Sequence, residues 1–122
     1  MLAEDEPDIQ LITRLALEEA GCTVVAVGDG RAAIEAAQHG QFDVALLDVM
    51  MPRMDGFTAC ARLREDPRTQ RLPVIFLTAR SQELEVQHGL ALGAQGYIVK
   101  PFDVFRLAVR IGELLGEPSA SS

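Results

Sequence analysis

Residues Val44 to Gly56 read Val-Ala-Leu-Leu-Asp-Val-Met-Met-Pro-Arg-Met-Asp-Gly, an apolar run that stops at a carboxylate and then turns. Val44 to Leu47 is uninterrupted hydrocarbon, as a central parallel strand covered by helices on both faces requires. Asp48 therefore closes a strand, and Pro52 and Asp55-Gly56 stiffen and turn the loop behind it. In open α/β sheets ligands collect outside the carboxyl ends of the strands, so Asp48 stands where chemistry is usually found. A single Asp in that position is more often just a turn former or the cap of the next helix. What else arrives at the same edge decides between these readings.

On the amino-terminal side, Met1 to Ala3 is a fragment of a strand. Glu4-Asp5-Glu6-Pro7 follows as an acidic turn, with Pro7 suited to a first helical position. Ile9, Ile12, Leu15, Ala16 and Glu19 recur at helical spacing up to Gly21, a helix stop. Thr23 to Val27 is β-rich, Gly28-Asp29-Gly30 turns, and Ala32, Ala33, Ile34, Ala36 and Ala37 form a small-residue helix ending at Gly40. On the carboxyl-terminal side, Phe57 to Glu65 predicts a helix stopped by Asp66-Pro67, and Pro73 to Leu77 a strand. Gln82 to Leu92 predicts a helix closed by Gly93, and Tyr97 to Val99 a strand ended by Pro101. Val104, Leu107, Ala108, Ile111, Leu114 and Leu115 make an amphipathic last helix. Five strands alternating with five helices predict a doubly wound parallel sheet with right-handed crossovers. Residues 1–116 are expected to form one domain, and 117–122, small and polar, a frayed tail or linker stub.

The 122 residues suffice for one domain with a real core, and 48% apolar with 5% aromatic residues suits an aliphatic α/β protein. The net charge of −7 opposes nucleic acid or an anionic membrane as a direct partner. With no charged leader and no long apolar segment, a cytoplasmic protein is expected. Cys22 and Cys60 lack metal-type spacing and are both expected to be buried as small apolar side chains, without a disulfide. Lys100 is the sole lysine, so its position carries weight.

In a parallel sheet all carboxyl ends share one rim. Glu4 and Asp5, Asp48, Thr78 and Lys100, each directly after an apolar run, are thus delivered to one edge. Clustered carboxylates repel by about 4 kcal/mol per pair at 4 Å with an effective dielectric near 20, so the cluster calls for a cation. Oxygen-only ligands select a hard divalent ion, and Mg²⁺, which retains waters and shares phosphate oxygens, fits best. Metal, ammonium and hydroxyl around one carboxylate make a site for attack by Asp48 on phosphorus.

With these motifs the chain resembles a receiver domain of the two-component response regulators over Leu2 to Leu115. The resemblance is carried by Glu4-Asp5-Glu6-Pro7, by Leu46 to Gly56, by Pro73 to Ala79, and by Gly93-Ala94 with Tyr97 to Phe102. It implies a flavodoxin-like strand order 2-1-3-4-5 and a phosphoryl group received on Asp48 from a phosphohistidine of a sensor histidine kinase or phosphotransfer protein. It also implies Asp5 as the direct Mg²⁺ ligand, Glu4 acting mainly through metal-bound water, and the Met50 backbone carbonyl completing the shell. Thr78 and Lys100 would hold phosphoryl oxygens, Tyr97 would be the rotating aromatic, and Lys100-Pro101 would be cis. Met50 and Arg80, flanking the phosphoryl group, would tune its lifetime.

A phosphatase with an aspartyl-phosphate intermediate would want an acid where Met50 stands. A flavin or nucleotide carrier would want a phosphate cradle where Glu4, Asp5 and Glu6 would repel one. The remaining alternative is a degenerate receiver that binds partners without phosphorylation. The expected output is a helix 4, strand 5, helix 5 face that controls a downstream protein or an effector domain. Where many receivers pair charges on that face, this chain has Val86, Ala91, Gln95 and Gly96 opposite Arg110, so the salt-bridged dimer is disfavoured. Finally, only three residues precede the acidic turn, which predicts a short first strand with unmet backbone groups beside it.

Overall fold

The structure, a computed structural model, describes residues 1–79 and 83–116, and of residues 83–86 the backbone alone. The elements alternate as the sequence predicts: β1 (Leu2–Ala3), α1 (Pro7–Glu19), β2 (Ala26–Val27), α2 (Gly30–His39), β3 (Ala45–Asp48), α3 (Gly56–Glu65), β4 (Val74–Thr78), α4 (Glu83–Ala91), β5 (Gly96–Val99) and α5 (Leu107–Leu114). A 3₁₀ turn, Val104–Arg106, leads into α5 where the sequence pattern predicts continuous helix. All neighbouring strands are parallel, in the order β2-β1-β3-β4-β5.

The period of two along the strands splits the core. Ala45 and Leu47 of β3 with Val74 and Phe76 of β4 face a cluster that holds Ala33 and Ala37 of α2 and Ala59, Cys60 and Leu63 of α3. Leu46, Ile75 and Leu77 face the opposite cluster with Leu17 of α1 and Leu107 and Ile111 of α5. Both faces of the central strands are thereby covered, which is why they read as unbroken hydrocarbon.

The first strand is as short as the sequence predicts, and the second is shorter than the Thr23 to Val27 pattern suggests, two residues each. The expected gap beside β1 is nevertheless bridged. Leu46 N donates to Met1 O at 2.9 Å, Leu2 N to Val25 O at 2.9 Å and Glu4 N to Val27 O at 3.0 Å, and the Met1 amino nitrogen reaches Val44 O at 2.9 Å. Burial pushes the Met1 amino group below its ordinary pKa, with Asp43 pulling the other way.

One expectation fails on the surface. Cys60 is buried, but Cys22 is exposed. Gly21, at φ 97°, turns the chain at the end of α1, and Cys22 sits in the connection to β2 outside either core cluster. Among the described residues no helix is long and apolar enough to cross a membrane. Arg80 and the tail 117–122 lie outside the described residues.

Candidate functional site

The site stands where the carboxyl ends of β1, β3, β4 and β5 meet. Asp48 ends β3 in register with Leu77, and Thr78 ends β4 in register with Val99, so Lys100 is the first residue past β5. Lys100 N donates to Thr78 O at 2.7 Å and Val49 N to Leu77 O at 2.9 Å, carrying the ladder beyond the last paired side chains. The Lys100-Pro101 peptide is cis, as the resemblance implies. The ammonium of Lys100 lies 2.6 Å from Asp48 Oδ2 and 2.8 Å from Glu4 Oε2. Asp48 Oδ1 accepts from Met50 N at 3.0 Å.

Both carboxylates in contact with Lys100 are buried, Glu4 completely, while Asp5 beside them is exposed. Glu4, Asp5 and Asp48 each offer an oxygen within 4.8 Å of the others. Burial first, and then the neighbouring Asp48 carboxylate, push the Glu4 pKa up to about 7, against the pull of Lys100. For Lys100 burial acts to lower the pKa, but Asp48 and Glu4 together outweigh it and the ammonium is held above its ordinary value.

The donor set fits a hard divalent cation. It is all oxygen, it comes from three residues, and Glu4 Oε1 is buried with no hydrogen-bond partner among the described residues. A buried carboxylate oxygen left unpaired is costly, and a cation or its water would satisfy it.

The loop behind Asp48 is tied down from two sides. Gly56 N donates to Val49 O at 3.0 Å, and a Cβ at Gly56 would stand 2.5 Å from Asp48 O, so only glycine permits this approach. The side chain of Asp55 caps α3, accepting from Thr58 N at 2.7 Å. Arg53, at φ 65°, reaches Asp29 Oδ2 at 2.6 Å, and Asp29 Oδ1 in turn caps α2 by accepting from Ala32 N at 2.8 Å. That amide bond and then Arg53 hold the Asp29 pKa below its ordinary value.

The other expected residues arrange themselves around this cluster. Thr78 is buried at the rim. Tyr97 is half-buried against the α2–α3 cluster, one residue beyond Gly96 on β5. The Met50 side chain is 74% exposed, directly beside Asp48, whereas Arg80 lies outside the described residues. Sequence reasoning missed Gln10, whose side-chain amide Nε2 donates to Glu4 O at 2.9 Å and to Val27 O at 3.0 Å. No sequence signal marks it, since a polar residue on a surface helix is the ordinary case.

The family described as the response regulator receiver domain matches residues 1–112. The transcriptional regulatory protein CseB of Streptomyces avermitilis is 42% identical over 115 residues, 94% of this chain and 48% of that protein. The transcriptional regulatory protein TcrA of Mycobacterium tuberculosis is 43% identical over 116 residues, 93% of this chain and 44% of that protein. The chain thus spans about half the length of the curated relatives it matches.

Among solved structures, the chemotaxis protein CheY4 of Vibrio cholerae superposes with a TM-score of 0.87 at 33% identity, covering 93% of this chain and 94% of that one. The receiver domain of the sensor histidine kinase PA1611 from Pseudomonas aeruginosa, described with a magnesium ion coordinated in its active site cleft, gives a TM-score of 0.85 at 30% identity and covers 95% of each chain. With the family matched along nearly the whole sequence, the chain belongs to the response regulator receiver domains of two-component systems.

Proposed function

We propose that the chain accepts a phosphoryl group on Asp48 from a phosphohistidine of a sensor histidine kinase or phosphotransfer protein, and that this charge switches its output face. An Asp48 carboxylate oxygen forms the new O–P bond as the P–N bond to the donor imidazole breaks, the electron pair leaving with the imidazole. The observation that carries the reading is the Lys100 ammonium, the chain's one lysine, held 2.6 Å from Asp48 and 2.8 Å from Glu4 at the rim. In that place it can follow charge from the carboxylate onto the phosphoryl oxygens as the bond forms.

Asp5 and Asp48, with the Met50 carbonyl, would hold Mg²⁺ directly, and Glu4 through water. When bound, the ion neutralises the carboxylates and the phosphoryl oxygens that approach them. Thr78 would donate to a phosphoryl oxygen and Tyr97 would fill the space its hydroxyl vacates, passing the change to the face of α4, β5 and α5. Met50 and Arg80 would hinder the hydrolytic water and lengthen the lifetime of the phosphorylated state. The chain assists its own phosphorylation and dephosphorylation and acts on no other substrate. The output goes to a downstream protein or a linked effector domain in the cytoplasm, with no direct contact between this domain and nucleic acid or membrane.

Acetyl phosphate with Mg²⁺ should add one phosphoryl group, detected by intact-mass spectrometry, and Asp48→Asn should abolish it. Undiminished labelling in that variant would overturn the assignment. A parent chain that takes no label would favour a receiver that works as a binding module alone. Mg²⁺ titration should show Asp5→Asn weakening the ion more than Glu4→Gln, because a direct ligand loses a bond that a water-mediated one keeps.

A further inference from the structure

The acidic turn must keep its shape against its own charge, since carboxylates 4 Å apart repel by about 4 kcal/mol at an effective dielectric near 20. Glu4 is restrained by Lys100, and Asp48 by Lys100 and by the Met50 amide. Asp5 is exposed and its carboxylate takes no hydrogen bond or ion pair from the described residues. Its place beside Asp48 is therefore set by the backbone that carries it.

That backbone is held by Gln10. From the second turn of α1, its single side-chain nitrogen donates to Glu4 O at 2.9 Å and to Val27 O at 3.0 Å, using both hydrogens of the amide. One side chain thereby joins the carboxyl ends of β1 and β2, strands of only two residues each. The Glu4 carbonyl belongs to the planar peptide unit that links Glu4 to Asp5, so fixing that oxygen fixes the plane from which Asp5 departs. Val27 O also accepts from Glu4 N at 3.0 Å, which closes the strap from the other side of the same residue.

We propose that Gln10 is a positioning residue of the cation site: its amide orients the Glu4–Asp5 peptide so that the Asp5 carboxylate already stands beside Asp48 before a divalent ion arrives. The inference rests on the reading of the acidic cluster as a Mg²⁺ site. A ligand arranged at folding does not have to be ordered again on binding, which strengthens affinity without a new contact. Leucine at this position keeps the volume and loses both donors. Asparagine keeps the amide but is one methylene too short to span the two carbonyls.

The test is Mg²⁺ alone, titrated into the full chain by calorimetry and followed in parallel by backbone amide shifts, with melting temperature recorded in the absence of the ion. Gln10→Leu should weaken Mg²⁺ about tenfold, the lower end of what loss of a supporting partner costs a metal site. In an Asp5→Asn background the same change should have no further effect on affinity, because the residue being positioned is gone. Should Gln10→Leu fail to fold, Gln10→Asn carries the same expectation. Unchanged affinity in either variant, or an equal loss with and without Asp5, would overturn the proposal and leave Gln10 a fold-stabilising strap. A parent chain that shows no Mg²⁺ binding would instead remove the cation site itself, and the proposal with it.

Discussion

At the scale of single residues, charge placement decides what titrates where. The Asp66 carboxylate receives the side-chain bonds of Arg68 at 2.9 and 3.2 Å, the Arg68 amide at 2.9 Å and Gln38 Nε2 at 3.1 Å. The Arg68 side chain first, then its amide, bring the pKa from 3.8 down to about 2. Because the folded value lies below the unfolded one, this contribution to stability is present above pH 3.8 and is lost as the pH falls through about 2. Carboxylate NMR titration should place Asp66 near 2 and return it towards 3.8 in Arg68→Ala. Asp48, Thr78 and Lys100 were legible in the sequence because each is polar directly after an apolar run, a local signal. Cys22 and Gln10 were not. The burial of a small thiol depends on where the chain goes after Gly21, and a glutamine's partners depend on which strand end lies beneath its helix.

At the scale of elements, one side chain fastens three of them. Arg64, in the last turn of α3, donates to Leu72 O at 2.7 Å and Gln70 O at 3.2 Å before β4, and to Leu92 O at 3.0 Å and Gly93 O at 3.1 Å at the carboxyl end of α4. A guanidinium opposite four carbonyls also offsets the negative end of the α4 dipole. Arg64→Met should cost about 2 kcal/mol in urea unfolding, the scale of lost hydrogen bonds to a charged donor. Amide exchange at Leu92 to Gln95 should quicken with it; unchanged exchange would show that the α4–β5 connection is held by other contacts. The helices and the central strands β3 and β4 were readable, since periodicity survives over ten residues or an unbroken apolar run. The edges were not. Thr23 to Val25 carries β-forming side chains, yet only Ala26 and Val27 pair, because a partner strand of two residues offers no longer ladder.

At the scale of the whole molecule, the positions on the α4, β5 and α5 face where many receivers pair charges carry Val86, Ala91, Gln95 and Gly96, which form no salt-bridged lattice. Arg110 is exposed on α5, and Ala91, Gln95 and Gly96 stand where acidic or basic partners would be needed; the side chain of Val86 lies outside the described residues. Gln95 is committed elsewhere, its Oε1 accepting from Val74 N at 2.9 Å. Sedimentation with beryllofluoride, a phosphoryl mimic, should show either a monomer or a dimer indifferent to Arg110→Ala. A salt-sensitive dimer lost in that variant would contradict this. The two-sided core and the strand order were within reach of the sequence because alternation and crossover handedness leave few arrangements, whereas the use of the outer face depends on partners that the chain does not encode. Ten arginines resist acylation by their chemistry, and the single lysine has its ammonium between Glu4 and Asp48. Any acetyl donor that modifies lysine side chains thus finds one target in this domain, and neutralising it would leave two buried carboxylates facing each other without their counter-ion.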